Sequence, residues 1–355
     1  MSKFQFMCKP FYLLLALILL CSHDLYIKME TYFLEPNQEA TLSLYNGTFE
    51  KSEGLITRDR MLDASVTTQG KRVALNPAQW KDKDSTITHL TFNTGKAGTY
   101  VVGVSTKARN IALSAEKFNS YLEHDGVVDM LEQRTKEKSL DQDAVERYEK
   151  HIKAIYQVGD IKTDDWNAVL GYPIEFVPQA NPYEKYSGEA IEVQLLLEGK
   201  PLSNQLVYAN AIKSIHAHTH SDHDHDHAEE GEEHTHDHDH AHTDAEHKHD
   251  HESPTKETHQ HTSGQQLRTN EQGIVLVDLP EDGIYYLRTI HMTKVSDNDT
   301  LTHRSKWATL TFEVSHKHGA NTHTHDHEEG IPTWVFVLGS TLIIGLLFLV
   351  FRKKN

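Results

Sequence analysis

The chain has 355 residues, 25% of them charged, a formal net charge of −17 and two cysteines. That length holds two ordinary domains. An acidic balance without any basic stripe excludes a nucleic-acid partner. Cys8 and Cys21 both precede residue 22, so the rest of the chain has no disulfide, thiolate metal site or cysteine nucleophile.

Taken in chain order, Lys3 and Lys9 form a basic region before the apolar run 11–20, the pattern of a secretory signal over 1–22. Cleavage after Ser22 leaves His23 as the first mature residue; lipidation at Cys21 is disfavoured by the bulky Leu20 before it. Between 23 and 113, LYIKMETYFL, EATLSLYNG, STITHLTFNT and TYVVGVSTK are rich in β-branched and aromatic residues with turn signals between them, which predicts strands of a β-sandwich. AEKFNSYLEHDGVVDMLEQRTKEK and DQDAVERYEKHIKAIYQVG then change period. Phe118, Tyr121 and Leu122 fall at i, i+3, i+4, with Asp141 or Asp143 as a cap and Gly159 as a stop, so a helical insert is predicted over about 114–158 of an N-terminal part, 23–165.

Strands return in PIEFVPQ, AIEVQLLLEG, QLVYANAIK, GIVLVDL, GIYYLRTIHM and KWATLTFEV, which predict an immunoglobulin-like or transthyretin-like sandwich over 166–315. Between the third and fourth of these, residues 215–263 form a hairpin loop grown long. Its span 215–261 holds sixteen of the 27 histidines: His216, His218, His220, His223, His225, His227, His234, His236, His238, His240, His242, His247, His249, His251, His259 and His261. Fourteen Asp and Glu stand there against Lys248 and Lys256, a local net charge of −12. Lacking apolar residues it cannot pack a core, and the composition predicts disorder without metal. Because closure entropy grows logarithmically, such an insertion costs only about 1–2 kcal/mol beyond a short turn.

A second set, His316, His318, His323, His325 and His327, occupies the linker 316–330. Residues 331–351 follow without a charge; at ~1.5 Å per residue they cover about 30 Å, the thickness of a hydrocarbon core. Arg352, Lys353 and Lys354 in the tail 352–355 predict a cytoplasmic C-terminus by the positive-inside rule. The expected topology is a single-pass bacterial inner-membrane protein with its body in the periplasm. The expected fold is mainly β, two β-sandwich parts with a helical insert plus one C-terminal transmembrane helix.

The segments HDLYIKMETYFLEPNQEATLSLYNG, FNSYLEHDGV, ERYEKHIKAIYQVGD, LGYPIEFVPQANPY, GKPLSNQLV, LRTIHM and KWATLTFEV, in this order, resemble a family of exported bacterial proteins. That family is described as the periplasmic component of cobalt/nickel transport systems, or simply as a domain of unknown function. The likeness spans roughly 23–314 and implies an all-β, two-part periplasmic protein linked to divalent-metal uptake. The histidine insert and the anchor are this chain's own.

Neutral imidazole is the commonest protein ligand for divalent transition metals. Repeats of H-x-H put imidazoles on one side of an extended segment, and the interleaved carboxylates add oxygen donors. The histidine tracts therefore predict several modest sites for nickel, cobalt or zinc, with copper(II) accepted and copper(I) disfavoured for want of thiolates. Each ion must order a loose segment, which suits a collector or buffer that gives its cargo up, with a membrane permease as the expected partner. His23, as a free terminus, is a further candidate ligand with His291 or His303. His89, His124 and His151 read as surface or half-buried residues, and the acceptor patterns at Asn46 and Asn298 carry little weight in a bacterial chain. No H-E-x-x-H, G-x-S-x-G, phosphate-binding glycine loop or C-x-x-C is present, so an enzyme is not expected. The competing expectations are an envelope interaction module with a pH- or metal-responsive loop, and sequestration of excess metal.

Overall fold

The computed structural model describes residues 24–213, 263–296 and 300–316. The signal segment, His23, the tract 214–262 and everything from Lys317 onward, including the expected span 331–351, lie outside the described residues. Among the described residues no helix is long and apolar enough to cross a membrane.

In chain order the strands begin with β1 (Asp24–Lys28), β2 (Phe33–Leu34), β3 (Glu39–Gly47), β4 (Ser52–Gly54), β5 (Met61–Thr68), β6 (Lys71–Ala74), β7 (Lys81–Lys83), β8 (Ile87–Asn93), β9 (Gly98–Thr106) and β10 (Arg109–Leu113). Two helices follow, α1 (Ala115–His124) and α2 (Val128–Lys136). The chain then runs through β11 (Ala144–Val158), β12 (Ile174–Pro178), β13 (Glu189–Leu197), β14 (Lys200–Pro201) and β15 (Leu206–Ile212). It resumes with β16 (Gln265–Arg268), β17 (Ile274–Leu279), β18 (Gly283–Lys294) and β19 (His303–Val314). The described part is thus mainly β with two α-helices, and each strand expected from the sequence is a strand.

Three sheets form. A ten-stranded sheet follows the path β16-β15-β18-β19-β11-β9-β5-β6, with β10 and β2 also on β11. A five-stranded sheet holds β1, β3, β4, β7 and β8; a four-stranded one holds β12, β13, β14 and β17. The large sheet draws strands from both sides of residue 165, joined where β11 runs parallel to β19 from Glu146↔His303 to Ala154↔Thr311. Both smaller sheets lie against it, one on each face. On one face the Thr309 and Thr311 hydroxyls donate to the Leu25 and Ile27 carbonyls of β1 at 2.8 and 2.9 Å. On the other, the Lys153 ammonium of β11 reaches Glu175 and the Phe176 carbonyl of β12.

The helical expectation holds in its first half only. Ser114 caps α1 through the Lys117 N–H, and Phe118, Tyr121 and Leu122 are its buried face, packed against Trp307 and Ile290. Residues 144–158, expected to be helical, are instead the fifteen-residue strand β11. Its Glu146/Lys150 and Glu149/Lys153 spacings imitate the i, i+4 pairs of a helix. The β-branched and aromatic residues Val145, Tyr148, Ile152, Ile155, Tyr156 and Val158 favour the strand, and ladders on both sides decide it. Asp143 caps no helix in that stretch; it accepts the Ala115 N–H at the start of α1, 2.9 Å away.

Each smaller sheet is fixed to the large one by a buried ion pair. The Asp24 carboxylate of β1 sits 2.6 Å from Arg288 Nε of β18, both side chains 2% exposed. Lys153 lies 3.1 Å from Glu175, both 1% exposed, and also donates to the Ala168 and Phe176 carbonyls at 2.8 and 2.9 Å. Glu175 in turn accepts the Leu170, Gly171 and Tyr172 N–H groups. Removing one partner of such a pair strands a buried charge and costs about 3–5 kcal/mol. Lys153→Met is expected to lose that much in urea unfolding at pH 7; a loss under 1 kcal/mol would show that Glu175 is satisfied by its backbone donors alone.

Candidate functional site

The histidine-rich insert is rooted in the β15–β16 hairpin. The described chain leaves at Lys213, just past Ile212, and returns at Ser263, whose hydroxyl accepts from Asn210 Nδ2 at 3.0 Å. Gly264 turns the returning chain with φ +92°, and a Cβ there would lie 2.4 Å from the Ala209 carbonyl. The root is braced further by Gln265, which donates to the Asp278 carbonyl and accepts its N–H.

The second histidine set begins at the end of β19. Register places Ile212 opposite Ile284, and Gly283 opposite Val314. The last residue of β15, the first of β18 and the last of β19 therefore share one end of the ten-stranded sheet. β15 and β19 are separated only by β18, so their Cα positions are about 10 Å apart at two inter-strand spacings. Gly283 permits the close approach: a Cβ there would meet the Ile212 carbonyl oxygen at 2.5 Å. His316 emerges at this end, half exposed, with Nδ1 against the Asp282 carboxylate. Ser315 is held by a parallel bridge to Tyr186 and by the Ser187 N–H. Both tracts thus begin beside the acidic turn that carries Glu281 and Asp282.

Of the histidines in the two tracts, His316 alone is among the described residues; the others, and His23, lie outside them. Within the described residues no group of three or more His, Cys, Asp or Glu side chains is placed to hold a metal ion. His316 and Asp282 make only a pair.

The partners considered for His23 do not form a joint site. In the β18–β19 register His291 faces Lys306 and His303 faces Lys294, three rungs apart, which puts the two rings on opposite faces of the sheet. His303 is buried against the Phe118 ring at 4.6 Å, with its Nδ1 2.7 Å from the Thr302 hydroxyl. Burial pushes its pKa down to about 4. His291 is half-buried and shares a hydrogen bond with Gln205 Oε1 at 2.9 Å; burial and nearby Lys306 lower its pKa. His89 is partly exposed and His124 exposed, as expected, but His151 is buried, with Nδ1 2.9 Å from the Ser105 hydroxyl. It sits mid-strand on β11, where neighbours on both sides close over it.

Sequence reasoning missed a buried polar cluster under α1. Glu146 is fully buried and accepts from the Tyr121 and Ser305 hydroxyls. Lys150 lies 3.1 Å from Asn46 Oδ1 and 5.0 Å above the Trp307 ring. The available signal was charge inside long apolar strands. Burial raises Glu146 to about 7 and lowers Lys150 to about 8. A carboxyl whose folded pKa is raised from 4.5 to about 7 binds its proton more tightly when folded, so its stabilisation is full below 4.5 and is lost as pH rises through 7. Relative to Glu146→Gln, the parent chain is expected to lose up to about 3 kcal/mol between those pH values, measured by denaturant unfolding. A pH-independent difference would place that carboxyl in water. For the tract roots, Lys213→Cys with Ser315→Cys is expected to be bridged efficiently by a bismaleimide of about 10 Å reach. Failure of that bridge, with both thiols reactive, would separate the roots.

A family model described as "Domain of unknown function (DUF4198)" matches residues 20–293. No curated protein matches the chain. Among solved structures, the D0-D1 domain of intimin is 10% identical, with 81% of this chain and 96% of that one covered, at a TM-score of 0.16. The Yersinia pseudotuberculosis adhesin InvE is 10% identical over 82% of this chain and 60% of that one, at a TM-score of 0.19. TM-scores that low carry no argument about fold or role.

Proposed function

This chain belongs to the DUF4198 family, and on that footing we propose that it is a membrane-anchored, extracytoplasmic collector or buffer of divalent transition metal, nickel, cobalt or zinc, serving an uptake system. The family's description assigns no activity, so the reading is carried by one observation of this chain. Two separate histidine sets start from the same end of one rigid sheet, about 10 Å apart. Loops that start together search a common volume, so imidazoles from both can meet on one ion at little additional closure cost. Cys-free N/O donors suit borderline divalent ions, and the carboxylates of Glu281 and Asp282 add negative potential at the roots.

The anchor belongs to the same reading. With 331–351 as a bilayer-spanning helix after signal cleavage, only the linker 317–330 separates the sheet end from the membrane. Captured ions would then be held near the mouth of a permease. The two halves read, in this proposal, as immunoglobulin-like or transthyretin-like sandwiches that share the central sheet. Their part is to hold the tract roots in fixed relation.

Calorimetric titration of the detergent-solubilised chain with Ni²⁺, Co²⁺ and Zn²⁺ at pH 7.5 is expected to show several ions per chain at modest affinity. Deleting 215–261 is expected to remove most of them. Acidification to about pH 5 is expected to release the rest, because protons then hold imidazoles of pKa ~6.5. Unchanged stoichiometry after the deletion would overturn the proposal. Failure of a deletion strain under metal starvation assigns uptake; failure under metal excess assigns tolerance instead.

A further inference from the structure

The opposite end of the same strands carries an arrangement of another kind, and it does not rest on the metal reading. β18, β19 and β11 place two rows of side chains on one face. Thr293, Arg304 and Arg147 share one rung; His291, Lys306 and Glu149 share the rung two residues along. These six, with Leu197 and Ala108 as walls and Ser305 in the backbone between the rows, line an open groove of about 610 Å³. It lies about 30 Å along β18 from the tract roots, nine residues at ~3.4 Å each.

The charges there are unbalanced. Arg147 and Arg304 stand directly opposite each other on neighbouring strands, both exposed. Neither forms an ion pair with a carboxylate among the described residues, whereas Arg58, Arg72, Arg268 and Arg288 each do. Lys306 is paired with Glu198 at the rim. Glu149 is the one carboxylate in the two rows; His151, 3.8 Å away, holds its pKa down first, and Lys306 and Arg147 follow, so its single charge is shared. Like charges directly opposite in a sheet are destabilising. In a chain of net charge −17, with carboxylates abundant, a guanidinium pair that only one shared carboxylate compensates calls for a negative ligand.

We propose that this groove binds a small multivalent oxyanion, a di- or tricarboxylate or a phosphate. Two planar guanidinium forks side by side match two carboxylate groups, or the several oxygens of one phosphate, in bidentate contact. The Thr293 hydroxyl is a further donor on the Arg304 rung, and His291 Nε2 is the ring nitrogen left available once Nδ1 is engaged by Gln205. A monovalent anion neutralises only one arginine, so valence is the selectivity rule.

The test is calorimetry on the full-length chain in detergent, stripped of metal by chelator and dialysed free of it. Citrate, succinate, phosphate and acetate are titrated at constant ionic strength. Either the carboxylates or phosphate is expected to bind one per chain at least tenfold tighter than acetate, and which of them does so names the source. Arg304→Gln and Arg147→Gln are each expected to weaken that binding tenfold or more while the melting temperature stays level or rises, since a like-charge contact is removed. The same titration on the chain lacking 215–261 is expected to be unchanged, which separates this site from metal held by the tracts. Multivalent anions binding no tighter than acetate, or binding indifferent to both substitutions, would overturn the proposal. So would binding that disappears with the tract.

Discussion

One central sheet keyed to two others by a buried ion pair on each face governs the rest of this molecule. Asp24–Arg288 fastens the five-stranded layer and Lys153–Glu175 the four-stranded one. Neither pair is an economical source of stability, because desolvating two charges consumes most of their attraction. What such pairs supply is register. A strand that slips by two residues against its partner keeps its apolar pattern but loses its counter-ion, so the layers have one arrangement in which all four charges are satisfied. That fixed arrangement determines which strand ends lie together and which rungs face solvent.

The position of β19 turns this into a functional geometry. It pairs antiparallel with β18 and parallel with β11, and so joins strands contributed before residue 165 to strands contributed after it. A parallel neighbour cannot be reached by a tight turn, and here the connection carries the whole C-terminal half. Because β15 follows β18 on the other side, the histidine insert and the chain that leaves β19 share an end. The insert is long, but its closure is short. Its described ends are linked by Asn210 and Ser263.

Much of this was legible in the sequence. Alternating β-branched segments marked β3, β8, β9, β12, β13, β15, β17, β18 and β19, and the i, i+3, i+4 set at Phe118, Tyr121 and Leu122 marked α1. β11 was not legible, because its Glu–Lys spacings fit a helix as well as a strand and only the ladders on both sides arbitrate. β5 was passed over because MLDASVTT mixes small and polar residues, and it takes its buried register from β9. The histidine tracts needed no structure to be noticed. Their common root did, since residues 212 and 316 are far apart in the chain and become neighbours only through the pairing of β15, β18 and β19. The separation of His291 from His303 is likewise a matter of register, an odd offset that no count of histidines reveals.

Register also explains why net charge misleads here. An overall charge of −17, concentrated in the insert, describes a molecule that should repel anions. At the scale of a ligand the relevant quantity is the field within about 8–10 Å, since salt screens exposed charges beyond that distance. The groove floor and the histidine insert leave the same strands at ends about 30 Å apart, several screening lengths, so each end presents its own sign to solvent. The distance also keeps the arginines from neutralising the acidic residues of the insert's roots. A sheet that carries the acidic turn of Glu281 and Asp282 at one end and two neighbouring guanidinium groups at the other is polar along its long strands. That polarity is set by which residues occupy the two ends of β18 and β19.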